Sequence, residues 1–226
     1  MSAAPAIGPG TVAQHALEAL RQAMVAGELR PGERIRQEEI AAGLGVSIAP
    51  VREALAVLEQ EGQVTYRPRR GYFVTELDLD DLREIYALRD LLESRAARRT
   101  LPLLDEDAMQ RLEIAARDCV DAAGEGDVAA ELDANRRFHF AIFESPDQPH
   151  TMRLIRQLWD STEPYRAMYY NAPEGRHEAI DAHEGILAAV RAGDADTLVA
   201  ELDGHRSAGL DRIAAILAPR ATPTDG

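Results

Sequence analysis

Three histidines and one asparagine interrupt apolar stripes in the second half of the sequence. The stripes repeat at i, i+4 and i+7, so their members share one face of a helix. A polar side chain on such a face points into the core, where it costs free energy unless it has a partner. The inward polar residues are Asn135, His139, His183 and His205.

These four residues have the chemistry of a metal site. Imidazole binds Zn, Ni, Cu and Fe, and the core of a helical bundle is a usual place for such a site. One inward histidine is more often a hydrogen-bonded core residue, but three in one small helical domain favour a metal ion. We therefore predict a divalent metal, zinc or nickel ahead of others, held by Asn135, His139, His183 and His205.

A buried arginine is predicted near this site, because Arg89 interrupts another apolar stripe. A guanidinium in a core keeps its charge and needs an anion. That anion is either an internal acid such as Glu93 or the carboxylate of a bound ligand, and the sequence leaves both open. Arg166, in the segment PYRAMYY, is a second candidate for contact with a ligand.

A different chemistry is expected near the N-terminus, in the segment GVSIAPVREAL at 45–55. Ser47 is the expected N-cap of a helix, and such a helix start can bind a phosphate. Arg52 lies off the predicted apolar face of this helix, where its planar fork can grip a guanine edge. A hairpin after the helix carries Arg67, Arg69 and Arg70, which suit a DNA backbone or minor groove.

The elements that position these residues form two predicted domains. A helix, two shorter helices joined at Gly45 and the basic hairpin describe a winged helix-turn-helix over 11–75. A linker at 76–79 leads to a domain at 80–218 with no strand signal. The fold class is mainly α, a winged helix plus an all-α six-helix bundle. A leader at 1–10 and a tail at 219–226 are expected to be disordered. The bundle helices are predicted at 80–100, 106–123, 128–144, 149–169, 176–192 and 195–217.

The charge distribution agrees with a DNA-binding first domain. The chain has a formal net charge of −14, yet residues 1–75 contain 8 arginines and 8 acidic residues. The excess negative charge therefore belongs to the second domain and leaves the first free to meet a polyanion. No apolar run is long enough for a membrane span and no signal peptide is present, so we expect a cytoplasmic protein with no membrane contact.

The first domain resembles a known family. The segment GERIRQEEIAAGLGVSIAPVREALAVLEQEGQV, followed by RRGYFV, is similar to the DNA-binding domain of GntR-type bacterial transcription regulators. That family usually has Arg and Thr where Ile48 and Ala49 stand here, so Ile48 becomes a candidate contact for a thymine methyl. The resemblance implies binding to a double-stranded operator by Ser47, Ile48, Ala49, Arg52, Arg67, Arg69, Arg70 and Gly71.

The second domain resembles the effector domain of the FadR branch of that family, known as the FCD domain. The resemblance is carried by LRDLLE at 88–93, NRRFH at 135–139, HEGIL at 183–187 and His205. Six helices are similar to the VanR-like subgroup. The resemblance implies a metal held by three histidines with an Asp or Asn, and a small organic acid as effector contacting Arg89 and Arg166.

The sequence therefore predicts a ligand-responsive transcription regulator, which we expect to be a repressor and not an enzyme. A homodimer follows because one recognition helix covers few bases and two-fold related half-sites are used. Two alternatives are a regulator that senses the metal without an organic effector and a metal-dependent hydrolase. No general base stands out beside the histidines, which disfavours the hydrolase.

Overall fold

A computed structural model describes residues 9–171 and 176–218, which form two compact units. Of the described residues, those within Met1–Glu76 and Arg156–Ala167 form the first unit, and those within Leu77–Ile155 and Met168–Gly226 form the second. Residues 1–8 of the predicted leader and the predicted tail at 219–226 lie outside the described residues. Pro9 and Gly10, which the sequence assigns to the leader, begin the first helix.

The first unit is built from three helices and a small antiparallel sheet. Its elements are α1 (Pro9–Val25), β1 (Arg34–Ile35), α2 (Gln37–Leu44), α3 (Ile48–Gln60), β2 (Val64–Arg67) and β3 (Gly71–Val74). The strand order is β1-β3-β2. This arrangement confirms the predicted winged helix-turn-helix. Its core contains Leu20, Val51, Leu55 and Leu58, each no more than 1% exposed.

The turn between α2 and α3 depends on a left-handed glycine. Gly45 has φ 67° and its N–H donates to the carbonyls of Ala41 and Ala42, which closes α2. Ser47 follows in an extended conformation as the N-cap residue of α3, but its side chain makes no capping hydrogen bond. The predicted capping role of this hydroxyl is therefore wrong, although its position at the helix start is right.

The structure adds a strand that the sequence does not predict. Residues 34 and 35 pair with β3 through Arg34 opposite Phe73 and Ile35 opposite Tyr72. Two residues are too few to show an alternating pattern. The pairing is stabilised by burial of Ile35, which is 2% exposed.

The rest of the described chain is helical, and two of its helices, at 149–161 and 163–170, have residues in both units. Its elements are α4 (Leu79–Thr100), a 3-10 turn (Leu101–Leu103), α5 (Glu106–Glu125), α6 (Val128–Phe143), α7 (Pro149–Ser161), α8 (Glu163–Tyr170), α9 (Arg176–Ala192) and α10 (Ala195–Leu217). An aspartate N-cap begins four of these helices by accepting hydrogen bonds from backbone N–H groups. These caps are Asp78, Asp105, Asp127 and Asp194.

The predicted number of six helices is wrong for the described residues, because the helix expected at 149–169 is two helices. The break is at Thr162, whose buried hydroxyl donates to the carbonyls of Leu158 and Trp159. Pro164 follows in the first turn of α8, where a missing N–H is tolerated but the preceding helix cannot continue through it. The prediction of a mainly helical fold is confirmed.

Among the described residues, no single helix is long and apolar enough to cross a membrane. Taken together, α2 and α3 are long and apolar enough by length and composition alone, and the two helices are bent by 118° at the turn between them.

Two glycines of the helix-turn-helix allow a matched test of the turn. Gly45→Ala should lower the free energy of unfolding by about 1 kcal/mol, because φ 67° is strained for a residue with a Cβ. Gly43→Ala, inside α2 and with no atom within 4 Å of the added Cβ, should raise it by about 0.5 to 1 kcal/mol. Urea denaturation of both variants measures the difference, and equal effects would contradict this account of the turn.

Candidate functional site

The three predicted histidines come together in the second unit. His139 lies on α6, His183 on α9 and His205 on α10, and each offers a ring nitrogen within 4.8 Å of the others. His139 and His183 are buried at 3% and 4% exposure, and His205 is partly buried. Three helices distant in sequence therefore converge on one small volume that imidazole nitrogens surround.

Asn135 lies with this cluster, one helical turn before His139. Its Oδ1 is 3.1 Å from Nε2 of His183, and the residue is 4% exposed. In the metal-free chain this is a hydrogen bond in which a protonated Nε2 donates to the amide oxygen. The same spacing suits two ligands of one ion, because adjacent ligands about 2.1 Å from zinc lie roughly 3 Å apart.

Burial keeps two of the three clustered imidazoles neutral. Desolvation, with a smaller contribution from His205, lowers the pKa of His183 to about 3. Desolvation followed by the charge of Arg89 lowers the pKa of His205 to about 4, against an opposing effect of Glu93. Both side chains are therefore unprotonated at pH 7 and keep the lone pair that a metal requires.

The orientation of the imidazoles is set by an aromatic neighbour that the sequence analysis missed. Phe138, fully buried on α6, stacks on His183 with centroids 4.1 Å apart and meets His139 edge-on at 5.3 Å. Nδ1 of His183 is buried and has no hydrogen-bond partner among the described residues. The other nitrogen of the same ring, Nε2, lies beside Oδ1 of Asn135, where both atoms could be ligands of one ion. The donor set thus fits a divalent metal.

A buried charge network lies beside His205. Arg89, 5% exposed, donates from Nε to Oε1 of Glu93 at 2.8 Å, so one of its two expected anions is the internal acid. Arg206 on α10, also 5% exposed, donates to Oε2 of the same carboxylate at 2.9 Å and pairs with Asp90. Two guanidiniums therefore share one fully buried carboxylate, with Asp90 at the half-exposed edge.

Arg206 is a buried residue beside the cluster that the sequence analysis does not identify. The signal was present, because Arg206 follows Leu202 by four residues and precedes Ile213 by seven. The adjacent His205 also fits an apolar stripe of the same helix. Both residues point inward from α10, since Arg206 is buried and His205 partly buried.

A groove between α5 and α9 reaches the histidine cluster, since His183 forms part of its wall. Its volume is about 220 Å³. Two arginines lie along it, and Arg191 donates to Glu113 at 2.7 Å. The lining residues are Glu113, Ala116, Arg117, Val120, His183, Glu184, Leu187 and Arg191.

Arg166 belongs to the first unit, whereas the histidine cluster belongs to the second. Its side chain is 6% exposed, and its guanidinium carbon lies 4.3 Å from the centroid of the Trp159 ring. Nη2 donates to the Trp159 carbonyl at 3.1 Å. These contacts anchor the side chain within its own unit, and its contact with an effector stays a prediction.

The start of α3 presents a mixed surface to solvent. Ser47, Ala49 and Arg52 are exposed, and Nε of Arg52 donates to Oε1 of Gln37 on α2 at 3.2 Å. Ile48 is partly buried and packs against the core of the first unit. The recognition helix therefore carries one long basic side chain, held at its base by a neighbouring glutamine.

The tip of the hairpin is a tight turn under backbone strain. The Arg70 N–H donates to the Arg67 carbonyl at 3.0 Å around Pro68 and Arg69. Arg69 has φ 62°, a conformation that favours glycine at this position of a type II turn. It is the one residue other than glycine with positive φ in the described ranges, and its side chain is exposed.

The other two arginines of the hairpin are arranged around one aromatic ring. The guanidinium carbons of Arg67 and Arg70 lie 4.5 Å and 5.6 Å from the centroid of Phe73. Gly71 pairs with Arg67 at the end of the ladder. The hairpin thus carries three closely spaced cations, two of them preorganised by the ring.

Two family models match the chain. The model described as bacterial regulatory proteins, gntR family, matches residues 12–74, and the model described as FCD domain matches residues 84–208. The two matches cover the winged helix-turn-helix and most of the helices that contain the histidine cluster.

Similar proteins are transcription regulators and not enzymes. The HTH-type transcriptional regulator McbR of Escherichia coli is 30% identical over 177 residues, covering 77% of this chain and 80% of McbR. The HTH-type transcriptional repressor RspR of Escherichia coli is 25% identical over 196 residues, covering 86% and 85%. The solved structure of E. coli McbR/YncC superposes with a TM-score of 0.78 at 26% identity, covering 91% of this chain and 98% of that one.

The depressed pKa values of the histidines predict a pH dependence of stability. The folded pKa of His183 lies below the ordinary value of about 6.5, so between the two values the unfolded chain binds more protons. The chelator-treated protein should therefore lose stability as pH falls below about 6.5, by on the order of 1 kcal/mol per unit for each such histidine. Urea denaturation between pH 7.5 and 5 measures the slope.

His183→Gln should flatten this slope, because the new side chain does not titrate. His150→Gln is the matched control, since His150 is exposed at the start of α7. An unchanged slope in His183→Gln would show that the buried imidazole is not the group responsible.

Proposed function

The chain is a member of the GntR family of bacterial regulatory proteins and carries an FCD domain, and from this premise we propose a regulator switched by a metal-bound organic acid. In this proposal the winged helix binds a double-stranded operator as a homodimer and represses transcription. The FCD domain binds a divalent metal and a small organic acid that releases the operator. The observation that carries the proposal is the convergence of His139, His183 and His205 within 4.8 Å.

The proposed metal ligands are the three imidazoles and the amide oxygen of Asn135. All four donors are neutral, so the full charge of a divalent ion would remain uncompensated by its protein ligands. When bound, the ion supplies a Lewis acid with open positions for oxygen ligands. Zinc or nickel suits three imidazoles, because nitrogen donors favour the later divalent metals.

The proposed effector is an anion because the proposed ion has neutral ligands only and Arg89 lies beside them. Arg89 and Arg206 share the carboxylate of Glu93, Arg206 also pairs with Asp90, and Arg89 is close enough to His205 to lower its pKa. A carboxylate that binds the ion would gain a second, charge-assisted partner in Arg89. The groove that His183 lines holds about 220 Å³, which suits an acid of few atoms.

The proposed division of labour on DNA follows from the two exposed basic elements. Arg52 would read a base edge from the start of α3, and the partly buried Ile48 would contact a thymine methyl at most with its outer atoms. Ser47 and Ala49 would lie against the backbone with the helix start. Arg67, Arg69, Arg70 and the Gly71 backbone would follow phosphates or the minor groove.

Switching requires that the effector favours a dimer geometry that fits the operator poorly. A coupling of about 1 to 3 kcal/mol between effector and DNA is ordinary for such proteins. Repression is supported by RspR, which is named a transcriptional repressor. We further propose a place in the VanR-like subgroup, because only Thr162 separates α7 from α8 and the pair takes the place of one predicted helix. As a bacterial DNA-binding protein the chain would act in the cytoplasm.

The DNA proposal is tested with an operator selected from random duplexes and measured by fluorescence anisotropy over a range of salt. Arg52→Ala should cost about 1 to 3 kcal/mol of preference for the selected site over random DNA. Arg69→Gly should keep that preference, reduce the salt slope by about one per protomer and raise stability by about 1 kcal/mol, because it relieves the positive φ. If the salt slope of Arg69→Gly equalled that of the native chain, the proposed contact of the hairpin with DNA phosphates would be contradicted.

The metal and effector proposal is tested by Asn135→Asp. A carboxylate in place of the amide should bind zinc about tenfold more tightly and, by neutralising part of its charge, weaken a small carboxylate effector. Calorimetry with zinc and then with a panel of small di- and tricarboxylates measures both changes. Asp133→Asn is the control, since Asp133 is exposed on the same helix and paired with Arg137.

The same measurements distinguish this proposal from the alternative in which the metal alone is the signal. In that case zinc without any organic acid would release the operator. If zinc bound with equal affinity to the native chain and to a variant lacking His139 and His183, the histidine cluster would not be the metal site.

A further inference from the structure

One face of α4 carries exposed residues in a regular order. Positions 81, 84, 88, 91, 95 and 98 alternate in steps of three and four, which is the spacing of a coiled-coil seam. All six are exposed, and Leu88 and Leu91 are 42% and 67% exposed at the centre. Two neighbouring leucines at this exposure, on a helix whose other face is buried, mark a surface that a partner would cover. The six residues, here the α4 seam, are Asp81, Glu84, Leu88, Leu91, Arg95 and Arg98.

The charges of the α4 seam are ordered along the helix. Its N-terminal third is acidic, its middle is leucine and its C-terminal third is arginine. A second copy laid antiparallel would place Leu88 opposite Leu91, and the acidic end of each helix opposite the basic end of the other. A parallel copy would place acid against acid and arginine against arginine. The seam is therefore self-complementary in the antiparallel direction alone.

The register of this pairing is fixed by the spacing. With the two-fold axis between residues 89 and 90, Glu84 faces Arg95 of the second copy, and Asp81 faces Arg98. Each contact occurs twice, as an isologous interface requires. In antiparallel coiled coils the two kinds of seam position also alternate across the interface in this way, which adds packing to the charge match.

The two inner charges are available for this contact. Within residues 12–171 and 183–218, neither Glu84 nor Arg95 makes an ion pair with another side chain of its own copy. The outer charges have partial local roles, since Asp81 accepts from the Asp78 N–H and Arg98 pairs with Asp196. The pair of Glu84 and Arg95 is therefore the one whose energy depends on a second copy.

We propose that α4 pairs antiparallel with α4 of a second copy of this chain through the α4 seam, and that this contact is the centre of the homodimer. The inference rests on the proposed homodimer and names the surface that forms it. Leu88 and Leu91 supply the apolar centre, and the two Glu84–Arg95 pairs fix direction and register. Further area from neighbouring elements is needed for a stable interface, since about 1,200 Å² or more is usual.

Charge reversal across the seam tests the proposal, with the dimer constant measured by sedimentation velocity on the full chain. Glu84→Arg and Arg95→Glu should each weaken dimerisation about tenfold, because each creates two like-charge contacts where two opposite-charge contacts stood. Mixing the two single variants should restore dimers, since a mixed dimer has both pairs complementary again. The double variant should also dimerise like the native chain.

Rescue cannot come from within one copy. Residues 84 and 95 of the same helix are 11 positions apart, roughly 16 Å along the axis, which is too far for an ion pair. Restored dimers in the mixture therefore report contact between copies. If the mixture stayed as monomeric as its components, the proposed register would be overturned.

A substitution at the centre of the seam gives a second measure. Leu91→Asp should abolish dimers at concentrations where the native chain is fully dimeric, while circular dichroism stays native because the side chain is exposed. Leu154→Asp, at a leucine 44% exposed on α7, is the matched control and should remain dimeric. If Leu91→Asp and Glu84→Arg dimerise as well as the native chain, the α4 interface is overturned but the proposed homodimer is not. A native chain that is monomeric in solution and on operator DNA overturns both.

Discussion

The low polarity of the FCD core controls what its buried side chains can do. Imidazoles in this core cannot take up a proton near neutral pH, so His183 and His205 keep their lone pairs. A neutral imidazole can bind a metal ion, and with His139 the two lie within 4.8 Å of one another in an arrangement that could hold one ion. The helix positions, the stacking of Phe138 and the hydrogen bond from His183 to Asn135 all follow from the need to pack these polar rings without charge.

The same constraint acts in the opposite sense on the arginines. Arg89 and Arg206 cannot lose their charge, so the core supplies Glu93 to both and uses Asp90 at its edge. The two guanidiniums are matched by Glu93 and Asp90, so the charge that favours an anion is that of the proposed ion, whose ligands are all neutral. Arg89 lies beside the imidazoles and would be a second partner for an anion bound to that ion, which is how the proposed metal site and the proposed acidic effector are linked. In the winged helix, Arg69 keeps a strained backbone conformation at a position where its exposed side chain carries a positive charge.

Patterns of three to seven residues predicted most of what the structure shows. The periodicity of the stripes identified Asn135 and the three histidines, and glycine chemistry placed the turn at Gly45. Features that depend on tertiary contacts were missed. The two-residue strand β1 has no pattern of its own, and the break at Thr162 arises from side-chain bonding to the preceding turn. Arg206 is adjacent to His205 on α10, and both residues fit apolar stripes of that helix, so the pattern did not single out Arg206. The buried carboxylate of Glu93, which pairs with Arg89 and Arg206, is shared only because α4 and α10 pack together.

We propose that three imidazoles of the FCD core bind one divalent ion. X-ray absorption spectroscopy of the zinc-loaded protein at pH 7.5 tests this directly, because imidazole rings give multiple-scattering features that other nitrogen and oxygen ligands lack. We expect one zinc per chain, a first shell of nitrogen and oxygen at about 2.0 to 2.1 Å and scattering from three imidazoles. Zinc bound with one imidazole or none, or no zinc retained after dialysis, would contradict the account.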